Sequence, residues 1–427
     1  MLNRKSAPEI TDAINFQLNL PPYQKISLKN GVEVFLLDMG TVDTLMMSLV
    51  FYAGNYYENE NGTAAAANYM LKSGTRSKTA YDINNFFEYH GSYLNRQSGH
   101  ETAELTLHCM KKNFSELLPV IAELVVESTF PEEELEIYKK NMQQRLQVNL
   151  RKSDFVAGRL IDSYLFGPEH PYGRFSTLDT YSSLHIDRLK EFYREYYLNG
   201  RCVIFMAGPL PEGVAPLIDQ HLGSLPLKGS VRPGSLSKPI LPAKEKKYRI
   251  TNDPDSVQGA IRVARNFPNR HHPDFQKMQV LNNIFGGFFG SRLMANIRED
   301  KGFTYGIHSY LLNLVQESGF MISTEAGKDV TEETLREVYL EMKRLCNEPV
   351  PDDELKISKN YMIGTLLGDL DGPFQVAGRW KSLVLNGLTE EYFNRGIEII
   401  KSIQPSEIQE LANKYLNPDD FYELAVF

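Results

Sequence analysis

Cysteine is scarce in this chain: 427 residues hold three, Cys109, Cys202 and Cys346. An odd number with no C-x-x-C spacing excludes a disulfide framework and suits free, buried thiols in a reducing compartment. Long apolar runs are missing as well. None approaches the roughly 20 residues that a bilayer crossing needs, so no membrane span is expected. The opening stretch, MLNRKSAPEITDAINFQLNLPPYQ, has early basic residues but neither an apolar core nor a cleavage-like site. A cytoplasmic location is therefore expected, and a periplasmic one only if a leader has been removed. Positive charge is in deficit, with 46 Lys and Arg against 54 Asp and Glu and a net charge of −8. That balance argues against nucleic acid or an anionic membrane as the main partner. Nucleophile motifs are absent too: no G-x-S-x-G elbow surrounds a serine, and no cysteine sits in a recognisable nucleophile context.

What is present is a globular composition, 42% apolar and 23% charged, at a length that suits two to three domains. The chain also repeats itself. FPEEELEIYKKNM (130–142) matches VPDDELKISKNYM (350–362) at an offset of 220. Each reads as a helix start with a proline, Pro131 or Pro351, near the first helical position and acids in the first turn. RLKEFYREYYLNGRCVIFMAG (188–208) matches EIQELANKYLNPDDFYELAVF (407–427), each an amphipathic helix, a polar turn and an apolar strand. A weaker pair aligns NNFFEYHGSYLN (84–95) with ANIREDKGFTYG (295–306), a helix stopped by glycine before a strand. Three correspondences in the same order imply an internal duplication. The division expected is an N-terminal domain over 1–228, a linker over 229–246 rich in Pro, Gly, Ser and Lys, and a homologous C-terminal domain over 247–427.

Within the first half, VEVFLLDM and LMMSLVFYAG read as strands, AYDINNFFEYHG as a helix, and SYLNRQSGHETAELTLHC as two strands around a polar turn. NFSELLPVIAELVVEST reads as a strongly amphipathic helix. Strands joined by hairpins with helices gathered alongside predict an α+β fold, each half a mostly antiparallel sheet packed against helices.

GTAAAANYMLKSGT (62–75) is a short helix of alanines between two glycines. It resembles, without a gap, the metal-binding helix of the pitrilysin/insulinase zinc peptidases, G-x-A-H-F-L-E-H-M-x-F-K-G-T, through Gly62, Ala64, Met70, Gly74 and Thr75. GSYLNRQSGHETAELTLHC is similar to that family's glycine-then-asparagine edge strand, with Asn95 at the asparagine. IFGGFFGSRLMANIREDKGFTYGIHS (284–309) resembles its second-domain signature, L-G-G-x-x-x-S-R-L-x-x-x-L-R-E-x-x-G-x-x-Y. The resemblance runs over about residues 20–427 and agrees with the repeat.

The family's H-x-x-E-H falls on Ala65 to Tyr69. Two histidines at i and i+4 share a helix face and can grip one Zn²⁺, and the glutamate before the second can take a proton from bound water. Here the ligand positions hold Ala65 and Tyr69, and the base position holds Asn68. Alanine has no donor atom, an unperturbed phenol is a poor zinc ligand, and an amide accepts no proton at neutral pH. The third ligand, a glutamate on a later helix, falls in NMQQRL, where Gln144 or Arg145 replaces it. No metal and no cofactor are expected in this chain.

The second signature is intact. Arg298 falls in the last turn of SRLMANIRED, Gly302 stops that helix, and Tyr305 lies on the strand that leaves it. In the resembled family this Arg–Tyr pair reaches the active site and holds the peptide at its scissile region. One branch of the family splits the site between two chains. One carries H-x-x-E-H, the other only the Arg–Tyr pair, and the two close on a peptide like a clamshell. The resemblance thus implies a non-catalytic subunit that supplies Arg298 and Tyr305, with Asn95 beside them, to a homologous zinc-bearing partner or to a second copy of itself. The bound peptide would add as a strand to an exposed sheet edge. Two other readings stand beside it: a scaffold or assembly subunit, and a homodimeric chamber that captures peptides without cutting them.

Other features have plainer readings. FGGFFGS lacks the Lys-Ser/Thr of a phosphate loop, so close helix–sheet packing explains its glycines. His271 and His272 in NRHHPDF are adjacent and diverge, which suits a loop leading into a helix. His90, His100 and Glu101 make a poor substitute metal site, since His100 and Glu101 would face opposite sides of a strand.

Overall fold

The computed structural model describes residues 11–229 and 238–427, so residues 230–237 of the expected linker lie outside the described residues. Two sheets carry the chain. Strands β1 (Gln24–Ser27), β2 (Glu33–Asp38), β3 (Thr44–Phe51), β4 (Tyr93–Ser98), β5 (Ala103–Met110) and β6 (Cys202–Gly208) form the first, in the order β1-β2-β6-β3-β5-β4. Strands β7 (Lys247–Ile250), β8 (Gln258–Asn266), β9 (Thr304–Asn313), β10 (Ser318–Gly327) and β11 (Tyr422–Val426) form the second, in the order β7-β11-β8-β10-β9. Without β1 the two orders are the same permutation. In each sheet one pair is parallel, β2 with β6 and β7 with β11, and the remaining pairs are antiparallel. The fold is α+β and duplicated, and β4 and β9 are corresponding edge strands.

The helices follow the repeat. Glu132–Asn149 and Asp352–Gly368 both begin after a proline, with Pro131 and Pro351 at the N-cap, one position earlier than the sequence suggests, and three acids in the first turn. Carboxylates there face unpaired backbone N–H groups and the positive end of the helix dipole.

The halves also exchange a helix, which their sequences do not announce. Ser153–Phe166, from the first half, lays Ala157, Ile161, Leu165 and Phe166 on Ala260, Ala264, Met321 and Leu424 of the second sheet. Pro373–Leu385, from the second half, sets Val384 and Leu385 against Phe35, Val50, Val203 and Phe205 of the first. Its Trp380 indole donates to the Pro21 carbonyl at 2.8 Å, and Lys381 pairs with Glu104 at 2.6 Å. Each sheet therefore needs the other half to cover one of its apolar faces, and burial of that area ties the halves together.

Of the glycines of FGGFFGS, Gly286 packs closely on the sheet, while Gly287 lies against Asn282 and Asn283 and Gly290 against the Phe288 ring. A Cβ on Gly286 would sit 2.6 Å from Ser309 Oγ and 2.9 Å from Ser309 N, on β9. Gly286→Ala is expected to push this turn off the sheet and cost about 1–3 kcal/mol, read as a lower urea midpoint. An unchanged midpoint would show that the turn has room to move.

Candidate functional site

The alanine helix runs from Thr63 to Met70 behind Gly62, whose φ of +88° suits a residue with no Cβ. Ala64, Ala66, Ala67, Asn68 and Met70 are buried, while Ala65 is exposed and Tyr69 half-buried. The two former ligand positions therefore share the outward face, as i and i+4 must. Asn68 points inward, its Nδ2 donating to the Glu104 carbonyl at 3.4 Å. The Tyr69 ring lies 4.7 Å from that of Tyr138, on the helix that also carries exposed Arg145.

A cation does sit on this face, and it belongs to the protein. The Arg96 guanidinium, from β4, stacks 4.4 Å from the centre of the Tyr69 ring and donates to the Tyr69 carbonyl. Burial drags the affinity of Arg96 for its proton down, with Tyr69 opposing. An alanine, an amide, a phenol covered by a guanidinium and a second exposed arginine do not fit a zinc ion. Among the described residues no group of three or more His, Cys, Asp or Glu could hold a metal. Arg96→Ala is expected to lower stability by about 1–2 kcal/mol through loss of the stacked cation. Equal urea midpoints for variant and parent would refute this role.

Asn95 precedes Arg96 and is exposed on the outermost strand of its sheet. The far side of β4 thus presents backbone donors and acceptors that no other strand among the described residues covers.

The Arg–Tyr signature forms a compact surface group. Met294–Asp300 ends the helix in a π-helical turn, and Gly302, with φ of +66°, donates its N–H to the Arg298 carbonyl at 3.2 Å. That reversal sends the chain into β9, again an edge strand, with Tyr305 91% exposed. The Arg298 guanidinium lies 5.3 Å from the centre of the Tyr305 ring and 4.6 Å from that of Phe289, itself exposed. Among the described residues no carboxylate lies within ion-pair distance of it. Two rings hold the cation by their faces and leave its N–H edge available to an acceptor. Phe289 was not singled out in the sequence; a bulky apolar residue between two glycines of FGGFFGS was its only signal.

The remaining candidates are engaged elsewhere. His90 lies between the Phe86 carbonyl at 2.8 Å and Glu116 at 2.9 Å, which hold its pKa above the ordinary value. His100 and Glu101 fall in the turn between β4 and β5, not on a strand. His100 meets Asn55 at 3.2 Å, and Glu101 accepts from the Tyr172 hydroxyl and from the Val315 N–H. His272 accepts from the Asp274 N–H at 3.1 Å, just ahead of the helix Asp274–Asn282. Cys109 and Cys202 are buried, and burial pushes the Cys109 thiol up to about 12, far from a reactive thiolate. Among the described residues no helix is long and apolar enough to cross a membrane.

Comparison with known proteins covers both halves. A family model described as "Insulinase (Peptidase family M16)" matches residues 34–165, which include the alanine helix and Arg145. A second, "Peptidase M16 inactive domain", matches residues 183–362, which include Arg298 and Tyr305. The chain is 26% identical over 357 residues to a Bacillus subtilis protein named uncharacterized zinc protease YmxG, covering 82% of this chain and 84% of that one. It is 24% identical over 445 aligned positions to the mitochondrial-processing peptidase subunit beta of Rattus norvegicus, covering 96% and 84%. A solved structure titled a peptidase M16 inactive domain from Pseudomonas fluorescens superimposes with a TM-score of 0.84 at 24% identity, over 95% of this chain and 98% of that one. A Helicobacter pylori protease superimposes at 0.85 with 16% identity, over 96% and 100%.

Proposed function

The chain belongs to the insulinase family of peptidases, family M16, and from that premise we propose that it serves as the non-catalytic subunit of a two-chain zinc peptidase. The observation that carries the proposal is Arg298 within cation–π reach of the exposed rings of Phe289 and Tyr305 at the start of edge strand β9, with no carboxylate paired to it among the described residues. Zinc and its general base belong to the partner, because Ala65, Asn68, Tyr69 and Arg145 offer neither.

In this reading the peptide lies as an added strand and the Arg298 and Tyr305 side chains reach into the partner's site. Their N–H and O–H groups donate to peptide carbonyl oxygens and favour the negative charge that develops on them. Asn95, exposed on the other edge strand, is available to the same peptide. A scaffold of this fold would have no use for an arginine kept unpaired by two exposed rings, which weighs against that alternative.

Reconstitution tests the proposal. The chain alone is expected to bind no stoichiometric zinc and to cleave no peptide, and co-expression with an H-x-x-E-H homologue is expected to yield an active heterodimer. Zinc-dependent cleavage by this chain alone would overturn it, as would a partner whose full activity does not need this chain.

A further inference from the structure

A cleft of about 480 Å³ opens in the second half and is lined by neither Arg298 nor Tyr305. It lies among the helices Asp274–Asn282, Asp352–Gly368, Pro373–Leu385 and Glu390–Ser402. Phe275, Ile397 and Ile400, all buried, give it an apolar wall. Two guanidinium groups face it, those of Arg270 and Arg379. Arg379 is neutralised by a hydrogen-bonded ion pair with Asp369.

Arg270 has no such partner. Among the described residues its side chain makes one hydrogen bond, from Nη1 to Ser382 Oγ at 3.1 Å, and its Nε is buried with no acceptor. Glu101, the carboxylate that acts on it from farther off, is already engaged by Tyr172 and the Val315 N–H. Arg270 is half-buried and its guanidinium stays charged, so a partly desolvated cation without a carboxylate faces the cleft. A guanidinium with no carboxylate partner and an apolar wall, both on the lining of one cleft, complement a small acid with an apolar group.

We propose that this cleft binds an organic carboxylate with an apolar tail, its carboxylate bonded to Arg270 in charge-assisted fashion. Two sources share this chemistry: the free C-terminus of a peptide that ends in an apolar residue, and a medium-chain fatty acid. The peptide terminus also brings a polar backbone amide beside its carboxylate, and the fatty acid does not.

Isothermal titration of the full chain tests the site with N-acetylphenylalanine, its C-terminal amide and decanoate. N-acetylphenylalanine is expected to bind, and the amide at least tenfold more weakly. Tighter binding of decanoate than of N-acetylphenylalanine would support the carboxylate site and assign its source to fatty acids; the reverse order would support it and assign peptide termini. Arg270→Gln is expected to weaken both acids at least tenfold while holding or raising the thermal midpoint of the free protein, since it removes a half-buried charge that has no carboxylate partner. Thr365→Trp, exposed on the lining of the cleft, keeps Arg270 and is expected to weaken both acids to a similar degree. The proposal is overturned if neither acid binds at millimolar concentration, if acid and amide bind equally, or if either folded variant binds like the parent. A fall of several degrees in the midpoint of Arg270→Gln would also overturn it, by marking Arg270 as a structural residue.

Discussion

Arg298→Ala, measured in the reconstituted heterodimer, is expected to lower kcat by about 10²–10³-fold, the loss typical of removing one donor to a developing oxyanion. The dimer should survive, because among the described residues the side chain is held by two exposed rings and by no ion pair. Neighbouring variants separate the parts of the device. Tyr305→Phe keeps the ring that holds Arg298 and loses only the hydroxyl, so about a tenfold loss is expected from one hydrogen bond. Phe289→Ala keeps both donors but removes one of the two ring contacts of the guanidinium, and a few-fold loss follows from about 0.5–1 kcal/mol of exposed cation–π contact. Arg298→Lys should not rescue, because an ammonium lacks the flat face that two rings can hold while its edge donates. Gel filtration of each variant with the partner, alongside kcat and KM, checks these outcomes. Wild-type turnover in both Arg298→Ala and Tyr305→Phe would end the trans-contribution reading, and a dimer that falls apart would make Arg298 an interface residue instead.

Local features of this molecule were legible in the sequence, and features that join distant segments were not. The repeated helix starts at Pro131 and Pro351 were visible because proline and first-turn acids act over a few residues. The reversal from Arg298 to Tyr305 was visible for the same reason: Gly302 accepts a left-handed conformation that turns the chain at once into β9. The duplication predicted two similar sheets, and apart from β1 both have the same strand order. The exchange of Ser153–Phe166 and Pro373–Leu385 left no trace, since an apolar helix face reads alike whichever sheet covers it. The stacking of Arg96 on Tyr69 was equally hidden: the positions are 27 apart, and only the packing of β4 beside the alanine helix joins them. Reading the motif positions alone identified what the helix had lost, and the structure adds what now covers that face.

The same helix supplies the largest expected change in stability. Its first backbone N–H groups lack partners within the helix, and Gly62 at the N-cap has no side chain to offer. Glu58 provides the missing acceptor, taking the Gly62 N–H at 3.2 Å and the Ala64 N–H at 2.7 Å, and it pairs with Arg174 at 2.8 Å. The glutamate is 3% exposed, so both charges depend on one another rather than on water. Burial raises the Glu58 pKa, outweighing the Ala64 N–H and Arg174, which lower it. A raised folded pKa means that this group by itself favours the fold most at low pH, a contribution lost as pH rises through that value. The ionised pair is therefore no net source of stability at neutral pH, yet breaking it on one side strands a buried charge. Glu58→Ala is expected to cost about 3–5 kcal/mol, because it leaves Arg174 uncompensated and the helix uncapped. Glu58→Gln/Arg174→Met removes both charges, keeps an acceptor for the helix N-terminus, and should cost less than Glu58→Ala alone. Urea midpoints of the parent, Glu58→Gln, Arg174→Met and the double variant close the cycle. A double variant as unstable as the sum of its singles would mean that the two side chains act independently, and the helix would then owe its position to its buried alanines alone.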